Sequence, residues 1–295
     1  MNGLFRGTGV ALVTPFDDRF QIDWSALDRL IDYCLQGGVD FLVVMGTTAE
    51  SATLSLDEKT KLARHVVSTV AGRVPLVYGW GGNNTAELIS GFESFDLSGY
   101  AALLSVAPYY NKPTQKGLRM HFEAVADAAP LPILLYNVPG RTASNLTAET
   151  TLILAQHPKI VGIKEASGDL TQITRILMGR PEGFGVLSGD DNLTFSMMGL
   201  GAEGVISVMA QLEPRIFSDM VRALESGDGD RARTLHFALF ETTELLFAEG
   251  NPAGVKAGLA HKGLIAPQVR LPLVEASAEL KTRIGAHLDR MAQTL

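Results

Sequence analysis

The chain has 295 residues, 46% of them hydrophobic and 19% charged, a composition of globular proteins with room for one large domain or two ordinary ones. Its 32 acidic residues against 25 basic ones give a net charge of -7, which argues against nucleic acid as a main partner. A single cysteine, Cys34, excludes an intramolecular disulfide and a cysteine metal cluster, and the six histidines lie too far apart for metal-ligand spacing. No apolar run is long enough to span a bilayer. The opening segment, with one Arg and a brief apolar run broken by Thr and Pro, reads as a first strand rather than a signal peptide. A metal-free cytoplasmic enzyme is the expectation, with Cys34 in the core.

Eight short apolar strands are predicted, at 10–14, 41–45, 76–78, 102–106, 133–136, 160–164, 185–187 and 205–207. Helical patterns fall between them at 23–35, 56–70, 85–95, 115–128, 148–156, 170–178 and 192–200. Asp23, Ser55, Thr147 and Asp169 stand where N-caps belong. Strand–helix alternation implies parallel strands joined by crossover helices, and eight units match a closed (β/α)8 TIM barrel. An open doubly wound sheet would carry a dinucleotide fingerprint near the first turn, and none is present. After residue 207 only helices are expected, at 213–224, 230–247, 255–261 and 274–291. The predicted organisation is a barrel over 1–212 carrying the active site, with a C-terminal helical extension over 213–295.

In such a barrel the chemistry belongs at the C-terminal strand ends. The sixth strand runs into Lys164, where an ammonium ending a buried strand is costly. A neutral amine there would be a nucleophile, whereas a lysine that snorkels to solvent is the ordinary alternative. Thr47 and Thr48, Tyr109 and Tyr110, Tyr136 and Arg141, and Asp190 and Asp191 end other strands. Each has an ordinary reading too: loop hydroxyls bonded to backbone, packed aromatics, a surface arginine, a helix cap. Glu165 and Asp169, beside the lysine, read as structural. Together the set suits Schiff-base chemistry on a carboxylated carbonyl compound.

The segments GTTAESATL, APYYNKP, LYNVPGRT, GIKEASGD, LSGDD, GVISV, NPAGVK and VRLPLV occur in one order along nearly the whole chain. They resemble the signature segments of the dihydrodipicolinate synthase family of pyruvate-dependent class I aldolases. The resemblance implies a reaction needing no cofactor, in which pyruvate condenses with L-aspartate-4-semialdehyde on the path to diaminopimelate and lysine. It matches Lys164 to the Schiff-base lysine and Tyr136, Thr48 and Tyr110 to a proton relay, with Tyr110 supplied across a subunit interface. Thr47 and Thr48 match the loop holding the pyruvate carboxylate, Arg141 the arginine for the second carboxylate, and Ile206 a backbone position lining the pyruvate pocket. A homotetramer, a dimer of dimers, is the implied assembly.

Related enzymes that cleave sialic acid typically carry Ser-Thr in place of Thr47-Thr48 and lack the arginine, so Thr47, Tyr110 and Arg141 favour the synthase. An aldolase for 2-keto-3-deoxy sugar acids remains the nearest alternative, followed by a non-catalytic carboxylate-binding barrel; a phosphate-handling isomerase is disfavoured by Asp190 and Asp191 in the last strand-end loops. Two departures are visible. Ala49 replaces the usual Gly, so the loop must do without a left-handed backbone there or bear some strain. Leu56 and Lys59 stand where lysine-inhibited members commonly have histidines, among positions matching Ser51, Ala52, Asn83, Glu87 and Tyr109. A second cation repels an incoming ammonium, so weak or absent feedback inhibition is expected.

Overall fold

The computed structural model describes residues 5–294; Met1–Leu4, the first residues of the opening segment, and Leu295 lie outside the described residues. Eight parallel strands close into a barrel in sequence order, each paired with the next and the last with the first. They are β1 (Gly7–Ala11), β2 (Phe41–Val44), β3 (Leu76–Gly79), β4 (Ala102–Val106), β5 (Ile133–Asn137), β6 (Ile160–Glu165), β7 (Gly185–Ser188) and β8 (Gly204–Ser207). The TIM barrel expected from the alternation is therefore present. The crossover helices are α1 (Trp24–Gln36), α2 (Leu56–Val70), α3 (Thr85–Gly91), α4 (Gln115–Ala128), a single turn α5 (Pro139–Thr142), α6 (Ala148–Leu154), α7 (Leu170–Gly179) and α8 (Thr194–Gly199). The helical extension follows as α9 (Pro214–Glu225), α10 (Gly229–Phe247), α11 (Ala253–His261) and α12 (Ala278–Thr294).

Local chemistry sets these boundaries. Asp23, Ser55, Thr147 and Asp169 each accept a backbone N–H of the first helical turn, and Ser55 forms a reciprocal capping box with Glu58. Strand side chains alternate. Phe41 and Val43 point into the barrel lumen, while Leu42 and Val44 point outward to the helices. The lumen core is closed by Ala11, Val77, Leu104, Leu134, Tyr136, Leu187 and Ile206 among others. Cys34 is buried in the outer core, as expected.

Three elements differ from expectation by three residues or more. β1 is Gly7–Ala11 rather than 10–14, because its lumen-facing Gly9 leaves its space to the Phe41 ring; a Cβ on Gly9 would lie 2.2 Å from that ring. α3 stops at Gly91, where Trp80 stacks on Phe92 with 5.0 Å between ring centroids. α12 begins at Ala278 rather than 274, since the Ser277 hydroxyl accepts the Leu280 N–H and its own hydrogens go to Glu249. The boundary expected at 212/213 falls between the short turn Met209–Gln211 and α9.

Candidate active site

β6 places Gly162 and Lys164 toward the lumen and Ile163 toward the helices. Lys164 is in register with Tyr136 on β5 and Leu187 on β7. Its side chain is buried, and its Nζ sits 4.4 Å from the centroid of the Tyr136 ring. It makes no hydrogen bond or salt bridge among the described residues. The stem lies against the backbone of Gly189, where a Cβ would come within 2.9 Å of the Lys164 Cε. Glycine at the end of β7 thus makes room for the lysine.

Burial lowers the Lys164 amine from its ordinary 10.5 to about 8; Asp191 opposes that shift and Arg141 adds to it. A drop of that size raises the neutral fraction at pH 7 by roughly 300-fold. Burial pushes the Tyr136 phenol up to about 12, with Arg141 pulling the other way. A protonated phenol therefore faces a partly neutral amine, which is the arrangement needed to hand a proton to a developing alkoxide.

Both groups open onto a cavity of about 700 Å³ at the C-terminal mouth of the barrel. Thr47, Thr48, Arg141, Asp190 and Asp191 line it, and α10 roofs it with Phe240, Thr243, Glu244 and Phe247. Lys164, Tyr136, Thr47, Thr48 and Arg141, singled out in the sequence, all line this cavity. Arg141 is carried there by the turn α5, which Pro139 starts and Ala143 ends with a left-handed φ of 56°. Tyr110 is not brought in: it stands 87% exposed on the β4–α4 loop, with a left-handed φ of 71°. Ile206 packs in the lumen core and is not among the residues lining the cavity.

The two threonines differ. Thr48 is buried, and its hydroxyl accepts a hydrogen bond from Asn251 Nδ2 at 2.8 Å; Thr47 is exposed at the mouth. Ala49 sits in the tight turn Thr47–Ala49, and its carbonyl accepts the Thr14 hydroxyl at 2.7 Å. The left-handed residue is the following one, Glu50, with φ 54°. Ala49 is thus accommodated without strain of its own.

Sequence reasoning missed what holds Glu50. Its Oε1 meets Lys256 Nζ at 2.5 Å, and its Oε2 accepts the backbone N–H of Arg270 at 2.8 Å. Both side chains of the ion pair are fully buried, and Lys256 Nζ also donates to the Gln268 carbonyl at 2.8 Å. Burial lowers the Lys256 amine to about 8, with Glu50 opposing. Arg270 reaches on to Glu58 and to the Phe20 carbonyl. A lysine inside the apolar helix Ala253–His261 was the visible signal, but its partner lies 206 residues away. Glu165 and Asp169 are structural, as expected: Glu165 accepts from Asn137, Gln172 and Ser167 N, and Asp169 caps α7.

Comparison with known proteins agrees with this geometry. The sequence profile of the dihydrodipicolinate synthetase family matches residues 4–291. The 4-hydroxy-tetrahydrodipicolinate synthase of Flavobacterium psychrophilum is 50% identical over 290 residues, covering 98% of this chain and 99% of that one. The crystal structure of dihydrodipicolinate synthase from Aquifex aeolicus superposes with a TM-score of 0.94 at 40% identity, covering 99% of each chain. That of the enzyme from Cyanidioschyzon merolae with lysine bound gives 0.93 at 38% identity, covering 98% of this chain and 99% of that one. The match runs through the barrel, the mouth and the helical extension alike, and the chain belongs to the dihydrodipicolinate synthetase family.

Proposed function

We propose that this chain condenses pyruvate with L-aspartate-4-semialdehyde to 4-hydroxy-tetrahydrodipicolinate, a step toward diaminopimelate and lysine. The observation that carries this reading is the Lys164 amine: buried, depressed to about 8, and poised over Tyr136 in a cavity that also holds Arg141. Lys164 attacks the keto carbon of pyruvate, Tyr136 protonates the resulting oxygen, and water leaves to give an iminium. Loss of a methyl proton gives the enamine, which adds to the aldehyde carbon of the second substrate. The amine of that substrate then attacks the former keto carbon, closes a six-membered ring and releases Lys164. The lysine serves as the electron sink, so the scheme calls for neither metal nor organic cofactor.

Thr47 and Thr48 offer N–H and O–H groups to the pyruvate carboxylate, and Arg141 takes the carboxylate of the semialdehyde. The family resemblance assigns the relay hydroxyl to Thr48, with Tyr136 on one side and Tyr110 of a second subunit on the other. An exposed tyrosine held in a left-handed backbone suits a residue that completes a neighbour's site. Ile206 contributes through its backbone. A homotetramer built as a dimer of dimers follows, with residues 1–212 supplying the reacting groups and 213–295 the roof. No helix among the described residues is long and apolar enough to cross a membrane, and we place the reaction in the cytoplasm.

Borohydride reduction in the presence of pyruvate tests the first step. A mass increase on Lys164, absent in Lys164→Ala, is expected. Turnover with pyruvate plus aspartate semialdehyde, and not with 2-keto-3-deoxy sugar acids, is expected to fix the electrophile. Sedimentation of an active monomer at assay concentration would remove the role given to Tyr110.

A further inference from the structure

One acid on the cavity wall has no task in this scheme. Asp191 follows the end of β7 and is buried. Its Oδ2 accepts from the backbone N–H groups of Val208 at 3.1 Å and Met209 at 3.0 Å, which clamps the carboxyl against the end of β8. Its Oδ1 is buried and makes no hydrogen bond among the described residues. Helix capping does not explain it, because Asp190 performs that duty by accepting from Asn192 N and Leu193 N. Bracing β8 does not explain it either, since the neutral amide of an asparagine could accept the same two bonds. A buried, orphaned oxygen is unfavourable unless a cation or donor comes before it.

The charged and titratable groups around the carboxyl are few. Lys164 comes from β6, Tyr136 from β5, Arg141 from α5, Asp190 from the same turn and Glu244 from α10. Asp190 is engaged with backbone, and Glu244 is exposed at the rim. Asp191 is thus the buried acid of the cavity. No salt bridge joins it to Lys164 among the described residues; the two side chains share the wall of one cavity, and the Asp191 charge opposes the fall in the lysine's basicity. Burial and Asp190 raise its own carboxyl, while Ser207 and the two backbone N–H groups favour its ionised form.

Resting on the Schiff-base reading above, we propose that Asp191 is the counter-ion of the iminium formed on Lys164. It is a positioning residue that acts through the lysine nitrogen. When the carbinolamine loses water, the nitrogen lone pair becomes the C=N bond and a full positive charge stays in a dry pocket beside Arg141. Loss of the methyl proton then cancels that charge in the enamine, and addition to the aldehyde restores it. An anion held a short way off stabilises both iminium states without trapping either in a tight pair.

The test uses the full-length chain and Asp191→Asn, which keeps the acceptor for Val208 and Met209. Quenched-flow borohydride trapping gives the rate of imine formation against pH and the pyruvate dependence of the adduct. Removing the anion makes the amine less basic and the iminium less stable. The acid limb, expected near pH 8 in the native chain from the depressed lysine, is expected to move down by about one unit, and half-saturating pyruvate to rise about tenfold. Damage to the fold would not pair an easier deprotonation with a weaker adduct. An unchanged limb and unchanged saturation would overturn the proposal. If Asp191→Asn does not fold by near-UV circular dichroism, Ser207→Ala takes its place. It is expected to shift the limb in the same direction by less, and no shift would overturn the proposal. No adduct at all in the native chain would remove the Schiff-base reading, and this role with it; an adduct with an unmoved limb removes only the role.

Discussion

Asn251, on the loop between α10 and α11, donates its Nδ2 hydrogen to the Thr48 hydroxyl at 2.8 Å across 203 residues of sequence. The hydroxyl proposed for the proton relay is therefore aimed from the helical extension. Asn251→Ala removes that donor and leaves the hydroxyl free to rotate. A fall in kcat/KM for pyruvate of about tenfold, roughly 1.4 kcal/mol, is expected in steady-state assays, with little change in thermal stability.

The Glu50–Lys256 pair predicts a different signature. Lys256→Met leaves Glu50 buried without its cation, and loss of about 3–5 kcal/mol of stability is expected in denaturant unfolding. The double variant Glu50→Gln, Lys256→Met removes both charges and is expected to recover part of that loss. Its activity is expected to stay low, because the turn that ends at Ala49 is then no longer held from the helical side. A double variant as unstable as Lys256→Met would contradict the account.

The two threonines separate the relay from the carboxylate cradle. Thr48 is buried and tied to Asn251, and Thr47 is exposed at the mouth. Valine at either position removes a hydroxyl at nearly constant volume. If the relay runs through Thr48, Thr48→Val is expected to lower kcat by about 10²-fold or more, and Thr47→Val to raise KM for pyruvate with a smaller effect on kcat. The reverse ordering in steady-state kinetics would move the relay to Thr47, the hydroxyl nearer the mouth.

Imine formation has a direction with pH. The nucleophile is the neutral amine, whose fraction rises as pH climbs through about 8. The rate of pyruvate imine formation is expected to rise roughly tenfold per pH unit below that point and to level above it. A limb near 10.5, read by stopped-flow trapping, would mean that burial does not lower the amine.

Leu56 is 70% exposed at the start of α2, with Lys59 on the same helix and Glu87 exposed on α3. A lysine bound near these residues would bring its own ammonium toward the Lys59 cation, and like charges repel. No inhibition by submillimolar L-lysine is expected in a steady-state assay, and inhibition in that range would contradict the repulsion assigned to Lys59.

The barrel was legible because short apolar runs and helix caps are local signals: the run at 41–45, and Ser55 before Leu56. β1 was misplaced because Gly7, Thr8 and Gly9 bring no apolar side chain to mark a strand, and the Phe41 ring that fills the space Gly9 leaves is distant in sequence. Lys164, Tyr136 and Arg141 were legible because each ends a strand or its turn. Lys256 and Arg270 were not, since what gives them meaning is Glu50, more than two hundred residues earlier. Asp191 was read as one of a capping pair, and only the partition of hydrogen bonds between Asp190 and Asp191 separates the two.

The distance in sequence between Glu50 and Lys256 also sets a timetable. A ribosome adding about 5–20 residues per second needs roughly 10–40 s to pass from one to the other. During that interval β2 and its turn exist without the cation that fixes them. A nascent barrel can pair its strands in order as they emerge, but its mouth takes final shape only when the last fifth of the chain arrives. An incomplete translation product would then be a barrel without a competent site, unable to draw pyruvate into adducts before the enzyme is whole.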